Sequence, residues 1–113
     1  MKQADPFYKS ARWERLRCQA MKRDGYMCQQ SKRYGRMVSA EVVHHILPRE
    51  YFPECQWSLW NLVSLTSKEH DRLHDRVTGR LTDEGMRLVK RLALDRGLDL
   101  NKIEKKMNDR NIL

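Results

Sequence analysis

The sequence predicts an α+β fold in one small domain, and three observations carry this. Helical periodicity appears near both ends, two short apolar segments rich in β-branched residues lie in the middle, and the composition is globular, with 40% hydrophobic and 34% charged residues. A chain of 113 residues has the length of one domain, so any site is expected to share a single core with whatever binds its substrate. No window approaches the ~18 apolar residues of a membrane span. The first residues, Met1 to Lys9, carry no apolar stretch behind the lysine, so they do not resemble a secretory signal. The expectation is a cytoplasmic chain with no membrane partner.

Ser10 is a suitable N-cap for a helix running to Asp24, with Trp13, Leu16, Ala20 and Met21 toward one face and Gly25 as the stop. Arg12, Arg15, Lys22 and Arg23 then lie largely on the other side. Residues 26–35 read as irregular. The β-branched stretch 42–47 predicts a strand that Pro48 ends, because proline cannot donate to a ladder. Residues 49–60 contain Tyr51, Phe52, Trp57 and Trp60 without a period, which predicts a loop packed by its own aromatics and closed by Asn61. A second strand over 62–65 leads into Thr66 and Glu69, spaced as a capping box for a helix to about Asp75. After a turn at Thr78, Gly79 and Arg80, Thr82 caps a helix over 83–96 with Met86, Val89, Leu92 and Ala93 inward and Gly97 at its end. A last, charged helix covers 99–108.

The net charge of +8 is uneven: residues 1–36 hold 10 Lys and Arg against 3 acids, and residues 37–113 hold 13 against 12. A basic first third attracts a polyanion through counterion release, and nucleic acid is the commonest one. Arg12, Arg15, Lys22, Arg23, Lys32, Arg33 and Arg36 are the candidate phosphate contacts; the alternative is a solvated face that only keeps the protein soluble. Cys18, Cys28 and Cys55 are an odd number at irregular spacing, which argues against a disulfide framework and for reduced thiols. None has a second cysteine two or three residues away, so no zinc-ribbon knuckle is complete.

All four histidines fall between positions 44 and 74. His70 and His74 are four apart on the predicted helix, so their side chains leave one face about one turn apart, a spacing that suits two ligands of one metal. His44 and His45 are neighbours on a strand, where successive side chains point to opposite faces, so only one of them can turn toward the helix. Taken singly, each piece has an ordinary reading as solvated or half-buried histidines and a turn asparagine. Their order along the chain, on elements able to bring them together, favours a site.

The run Val43-His44-His45-Ile46-Leu47-Pro48, then Asn61-Leu62-Val63-Ser64-Leu65, then His70 and His74, resembles the HNH endonuclease family, whose core is a ββα-metal finger. The opening from Phe7-Tyr8-Lys9-Ser10 through Trp13 to Asp24-Gly25-Tyr26-Met27-Cys28 is similar to the lead-in of phage-type members. The resemblance implies a basic helical region over 7–25, a finger core over about 36–76 and C-terminal helices over about 82–108. It implies that His44, His70 and His74 bind a divalent metal ion, that His45 is the general base, and that Asn61 positions the His45 segment. Many members carry Asp where His44 stands; the double His resembles the colicin-type nucleases, and three imidazoles suit Mn²⁺, Ni²⁺, Co²⁺ or Zn²⁺ better than Mg²⁺. Phage-type members also hold the finger with a zinc bound by two CxxC pairs, whereas the matching positions here are Cys28, Ser31, Thr66 and Glu69. No structural zinc is therefore expected, and packing is expected to replace it.

The implied activity is metal-dependent hydrolysis of DNA phosphodiester bonds with little sequence selectivity, by nicking or double-strand cutting, as in a phage or prophage accessory nuclease. Cutting both strands needs two sites, hence a homodimer or two encounters, and a phage packaging partner is an association only. The alternative is a non-catalytic DNA-binding module whose histidines, with Cys28, close a structural zinc site; four protein ligands rather than three would mark it.

Overall fold

The computed structural model describes residues 5–111, with the backbone alone for 109–111. The segment 1–4, part of the stretch lacking signal character, lies outside the described residues. Local hydrogen bonds set most element ends. Asp5 Oδ1 accepts the Phe7 N–H at 2.9 Å and Pro6 occupies the first turn of a short helix α1 (Pro6–Lys9). Ser10 Oγ accepts the Trp13 N–H at 3.1 Å to open α2 (Ala11–Arg23), which buries Trp13, Ala20 and Met21 as its periodicity predicts. The stretch 26–35 is not wholly irregular. Cys28 caps a five-residue helix α3 (Gln29–Arg33) by accepting the Ser31 N–H on Sγ at 3.4 Å. A Met27–Ser39 bridge, the Cys28 N–H to Val38 carbonyl bond at 2.7 Å and the Ala40 N–H to Tyr26 carbonyl bond at 2.8 Å close the loop around it.

Strand β1 (Val42–His45) pairs antiparallel with β2 (Leu62–Leu65), placing Val42 opposite Leu65, Val43 opposite Ser64, His44 opposite Val63 and His45 opposite Leu62. β1 ends two residues before the predicted 47. There the Leu47 N–H goes to the Asn61 side chain instead of the ladder. The loop between the strands holds two short 3₁₀ turns, Pro53–Cys55 and Leu59–Asn61.

The register divides the sheet into two faces. Val43 and Leu62 meet Trp13, Ala20, Leu16 and Trp57 on the α2 side. Val42, Val63 and Leu65 face a larger cluster that includes Cys28, Leu73, Val89, Leu92, Ile103 and Met107. Arg23 and Asp24 stitch α2 to β2: the guanidinium donates to the Leu59 and Leu62 carbonyls at 2.8 and 2.6 Å and pairs with Asp24, whose Oδ2 accepts the Ser64 N–H at 3.0 Å.

Thr66 Oγ1 accepts the Glu69 N–H at 3.1 Å and opens α4 (Ser67–Asp71), which ends four residues before the predicted 75. Beyond it His74 forms a bridge with Leu81, so the chain leaves the helix for a tight hairpin. α5 (Asp83–Arg96) has the predicted bounds, with Thr82 as cap, Gly97 at φ 66° and Leu88 joining the predicted inner face. α6 (Leu100–Asn111) starts one residue later than predicted and runs further; its buried Ile103 and Met107 show that it is a packing helix as well as a charged one. Among the described residues no helix is long and apolar enough to cross a membrane. The observed class is α+β, with a two-stranded antiparallel sheet between helices.

One glycine joins α5 to the hairpin that holds His74. A Cβ at Gly85 would stand 2.6 Å from the Leu73 carbonyl oxygen and 2.9 Å from Leu81 Cδ2. In most helices Gly→Ala gains up to ~1 kcal/mol. Here the clash with fixed backbone is expected to outweigh that gain, so Gly85→Ala should lose about 1–3 kcal/mol. Urea denaturation should show a lower midpoint with an unchanged slope; an unchanged or higher midpoint would contradict the packing described.

Candidate active site

His44 comes from β1, His70 from α4 and His74 from the bridge beyond it, so the two later histidines do not share a helix as their spacing predicts. They converge nonetheless. Ring centroids lie 5.2 Å (His44–His70), 5.5 Å (His44–His74) and 5.6 Å (His70–His74) apart, and one nitrogen from each falls within 4.8 Å of the others. His44 is 4% exposed, and its Nε2 has no hydrogen-bond partner among the described residues. A buried ring nitrogen left unpaired costs about 1–3 kcal/mol, and a metal ion removes that cost. Burial first, then the neighbouring His70, His74 and His45, push the His44 pKa well below its ordinary value. Burial and His74 also lower His70, against an opposing pull from Asp71. Both imidazoles are therefore neutral near pH 7, the form that binds metal. No fourth His, Cys, Asp or Glu joins the three among the described residues, which leaves coordination positions open.

His45 turns to the other face of the sheet. Its ring stacks on Trp13 with centroids 5.1 Å apart and planes 23° apart, and Phe7 and Tyr8 meet it edge-on at 5.6 and 6.1 Å. His45 Nε2 lies 3.0 Å from the Gln56 carbonyl oxygen. A carbonyl only accepts, so Nε2 carries the proton and Nδ1 keeps a lone pair in the neutral ring. Burial lowers the His45 pKa, the Gln56 carbonyl opposes that and Arg49 adds to it; the shift is downward.

Asn61 is fully buried between the two segments. Its Oδ1 accepts the Leu47 N–H at 2.7 Å, and its Nδ2 donates to the Leu47 and Cys55 carbonyls at 3.1 and 3.4 Å. The backbone just after His45 is thereby tied to the foot of β2.

A cleft of about 460 Å³ is lined by His44, His45, His70 and His74, together with Arg49 and Arg80. None of Arg12, Arg15, Lys22, Arg23, Lys32, Arg33 and Arg36 lines it. All seven are exposed; Arg12 lies over the Trp57 ring at 4.1 Å, and the Arg23 guanidinium is committed to Asp24 and two carbonyls, which makes it a structural clamp. Arg49 was not anticipated, although it follows Pro48 directly after the histidine strand. It pairs with Asp5 at 2.6 Å, donates to Gln56 Oε1 at 3.2 Å and lies 3.8 Å over the Phe7 ring.

The four positions that match a zinc knuckle are joined by ordinary bonds. Cys28 is fully buried, and although burial pushes its thiol up, hydrogen bonds from Ser31, Thr66 and Gln30 outweigh this and hold it below its usual value. Glu69 is buried and pairs with Arg72 at 3.2 Å.

The fold is similar to the crystal structure of the HNH endonuclease of the deep-sea thermophilic bacteriophage GVE2 with manganese ion. The two share 33% identity over 59% of this chain and 73% of that one, at a TM-score of 0.57. The chain belongs to the HNH endonuclease family. No family model and no curated protein matches it. The three-histidine cluster could hold a metal ion on its own geometry: three nitrogen donors, one of them orphaned and buried, beside a cleft.

A ligand that binds only the folded state raises its stability by about 2.7 kcal/mol at 100 times its Kd. Manganese should therefore raise the melting temperature of the protein and of His45→Ala, and EDTA should reverse the rise. His44→Ala and His74→Ala should show little or none of it. A full manganese shift in His74→Ala would remove that residue from the ligand set.

Proposed function

We propose that this HNH-family protein is a metal-dependent DNA endonuclease, with His44, His70 and His74 as ligands, His45 as general base and Asn61 as a positioning residue. The observation that carries the reading is the split of adjacent histidines. His44 joins a cluster of three donors while His45, one residue on, lines the same cleft with a free Nδ1 and stays outside the cluster. We also read residues 1–113 as one domain, in which the finger over about 36–76 does the chemistry and the helical regions over 7–25 and about 82–108 hold its two faces.

When bound, a divalent ion supplies Lewis-acid stabilisation of the phosphodiester oxygens and of the leaving 3′-oxygen. Mn²⁺, Ni²⁺, Co²⁺ and Zn²⁺ suit three imidazoles better than Mg²⁺ does. The protein's own part begins with His45. Nδ1 takes a proton from a water in line with the scissile bond, and the new imidazolium keeps its Nε2–H on the Gln56 carbonyl. Trp13 stacked on the ring and the Asn61 bonds to Leu47 limit how far His45 can move. The products are 5′-phosphate and 3′-hydroxyl ends. Exposed Arg12, Arg15, Lys22, Lys32, Arg33 and Arg36 lie outside the cleft, where they would contact phosphates at a distance from the cut and position DNA without reading bases. Phosphate contacts carry no base information, so selectivity is low, as in an accessory nuclease of a phage or prophage acting in the cytoplasm.

Supercoiled plasmid incubated with Mn²⁺ should be nicked, and EDTA should stop the reaction. His45→Ala should lower the rate by ~10²–10⁴-fold while metal binding is kept. Asn61→Ala should retain metal and lose rate through a looser His45, with a stability cost of about 1–3 kcal/mol for the Leu47 N–H left unpaired. Undiminished nicking by His45→Ala would exclude an HNH mechanism.

A further inference from the structure

The segment that begins at His74 is a short hairpin tied by its own hydrogen bonds, and it carries residues beyond those that place His74 in the cluster. His74 and Leu81 bridge its base, the Asp75 N–H donates to the Arg80 carbonyl at 2.7 Å, and the Gly79 N–H donates to the Asp75 carbonyl at 2.8 Å. Asp75 Oδ1 accepts the Val77 and Thr78 N–H groups at 2.8 and 2.9 Å, and the Arg80 N–H reaches Thr78 Oγ1 at 3.2 Å. Its only carboxylate caps the loop through Oδ1 and stays exposed. Beside it the hairpin shows outward Val77, 94% exposed at the tip, flanked by Arg76 and Arg80.

Its place matters as much as its chemistry. Gly79, Arg80 and Leu81 form one wall of the cleft that contains His44 and His45. Arg76 lines a second hollow with His70, His74, Asp71 and Asp75. The two arginines thus line two hollows that both contain His70 and His74, Arg80 in one and Arg76 in the other.

We propose that the 75–80 hairpin grips duplex DNA beside the cut, with Arg76 and Arg80 on backbone phosphates flanking the scissile one and Val77 against the wall of the groove between them. Charge selects this occupant: arginines bind phosphate with directed N–H groups, and a lone β-branched side chain at the tip adds an apolar contact to sugar carbons. Because the loop is already tied by its own hydrogen bonds, docking it orders little, and the contacts are not offset by a large entropy cost. The inference rests on the nuclease reading and adds residues that the basic first third does not contain.

The test measures binding of a fluorescent DNA duplex by the manganese-loaded protein in a His45→Ala background, which keeps the substrate uncut, across a range of salt concentrations. Arg76→Gln should weaken binding about tenfold and reduce the slope of log K against log[salt] by about 1. Val77→Asp changes a side chain that buries almost nothing in the protein, so it should leave the manganese-induced thermal shift intact and yet weaken DNA binding by a similar factor. Arg87→Gln, the same charge change on an exposed residue of α5, should bind like the parent. Parent-like binding by both Arg76→Gln and Val77→Asp, or an equal loss in Arg87→Gln, overturns the proposed grip while leaving the nuclease reading in place. A parent that fails to bind the duplex at all overturns the nuclease reading and the grip with it.

Discussion

The period of two along a β-strand is the constraint on which the site depends. His44 and His45 are joined by one peptide bond, and pleating sends their rings to opposite faces of the sheet. One face meets α4 and the hairpin after it, where two more imidazoles wait; the other meets α2 and a cage of aromatic rings. A metal ligand and a proton acceptor must be close but must not compete for the ion. Under the roles proposed for His44 and His45, two consecutive strand residues meet both demands with no extra machinery.

Everything around the strand keeps those faces distinct. Trp13 stacks on His45, while Leu65, Leu73 and the inner residues of α5 close the opposite side around His44. Asn61 prevents the chain beyond His45 from sliding, because a register shift of one residue would exchange the two rings. The Arg23–Asp24 pair fixes α2 against β2, and thereby fixes the aromatic cage against the strand that carries His45. Buried Cys28, Ser31, Thr66 and Glu69 are held by hydrogen bonds and packing.

Much of this was legible in the sequence. The caps at Ser10, Thr66 and Thr82, the glycine stop at Gly97, both strands and the order of the histidines are local signals, and the structure contains them. The four-residue α1 and the helix α3 were missed because each is a single turn or little more, too short for periodicity; α3 also uses a cysteine as its cap, which is an uncommon cap side chain. The helix carrying His70 was extended past its end because the spacing of four matches a helical turn. A tight hairpin returns His74 to the same place, and the sequence between 71 and 81 has no period that separates the two paths. The charge count along the sequence points to the basic first third for phosphate contacts. Charge density says where cations are numerous, whereas Arg49 reaches the cleft beside a pairing with distant Asp5, and Arg80 is carried there by the hairpin.

The division of labour between neighbouring histidines is tested most directly by anomalous scattering from crystals grown with manganese, recorded at the manganese edge. One peak should lie within bonding distance of a ring nitrogen of His44, His70 and His74, with the remaining positions open and the His45 ring still stacked on Trp13. A peak bonded to His45, or an ion enclosed by four protein ligands, would contradict it.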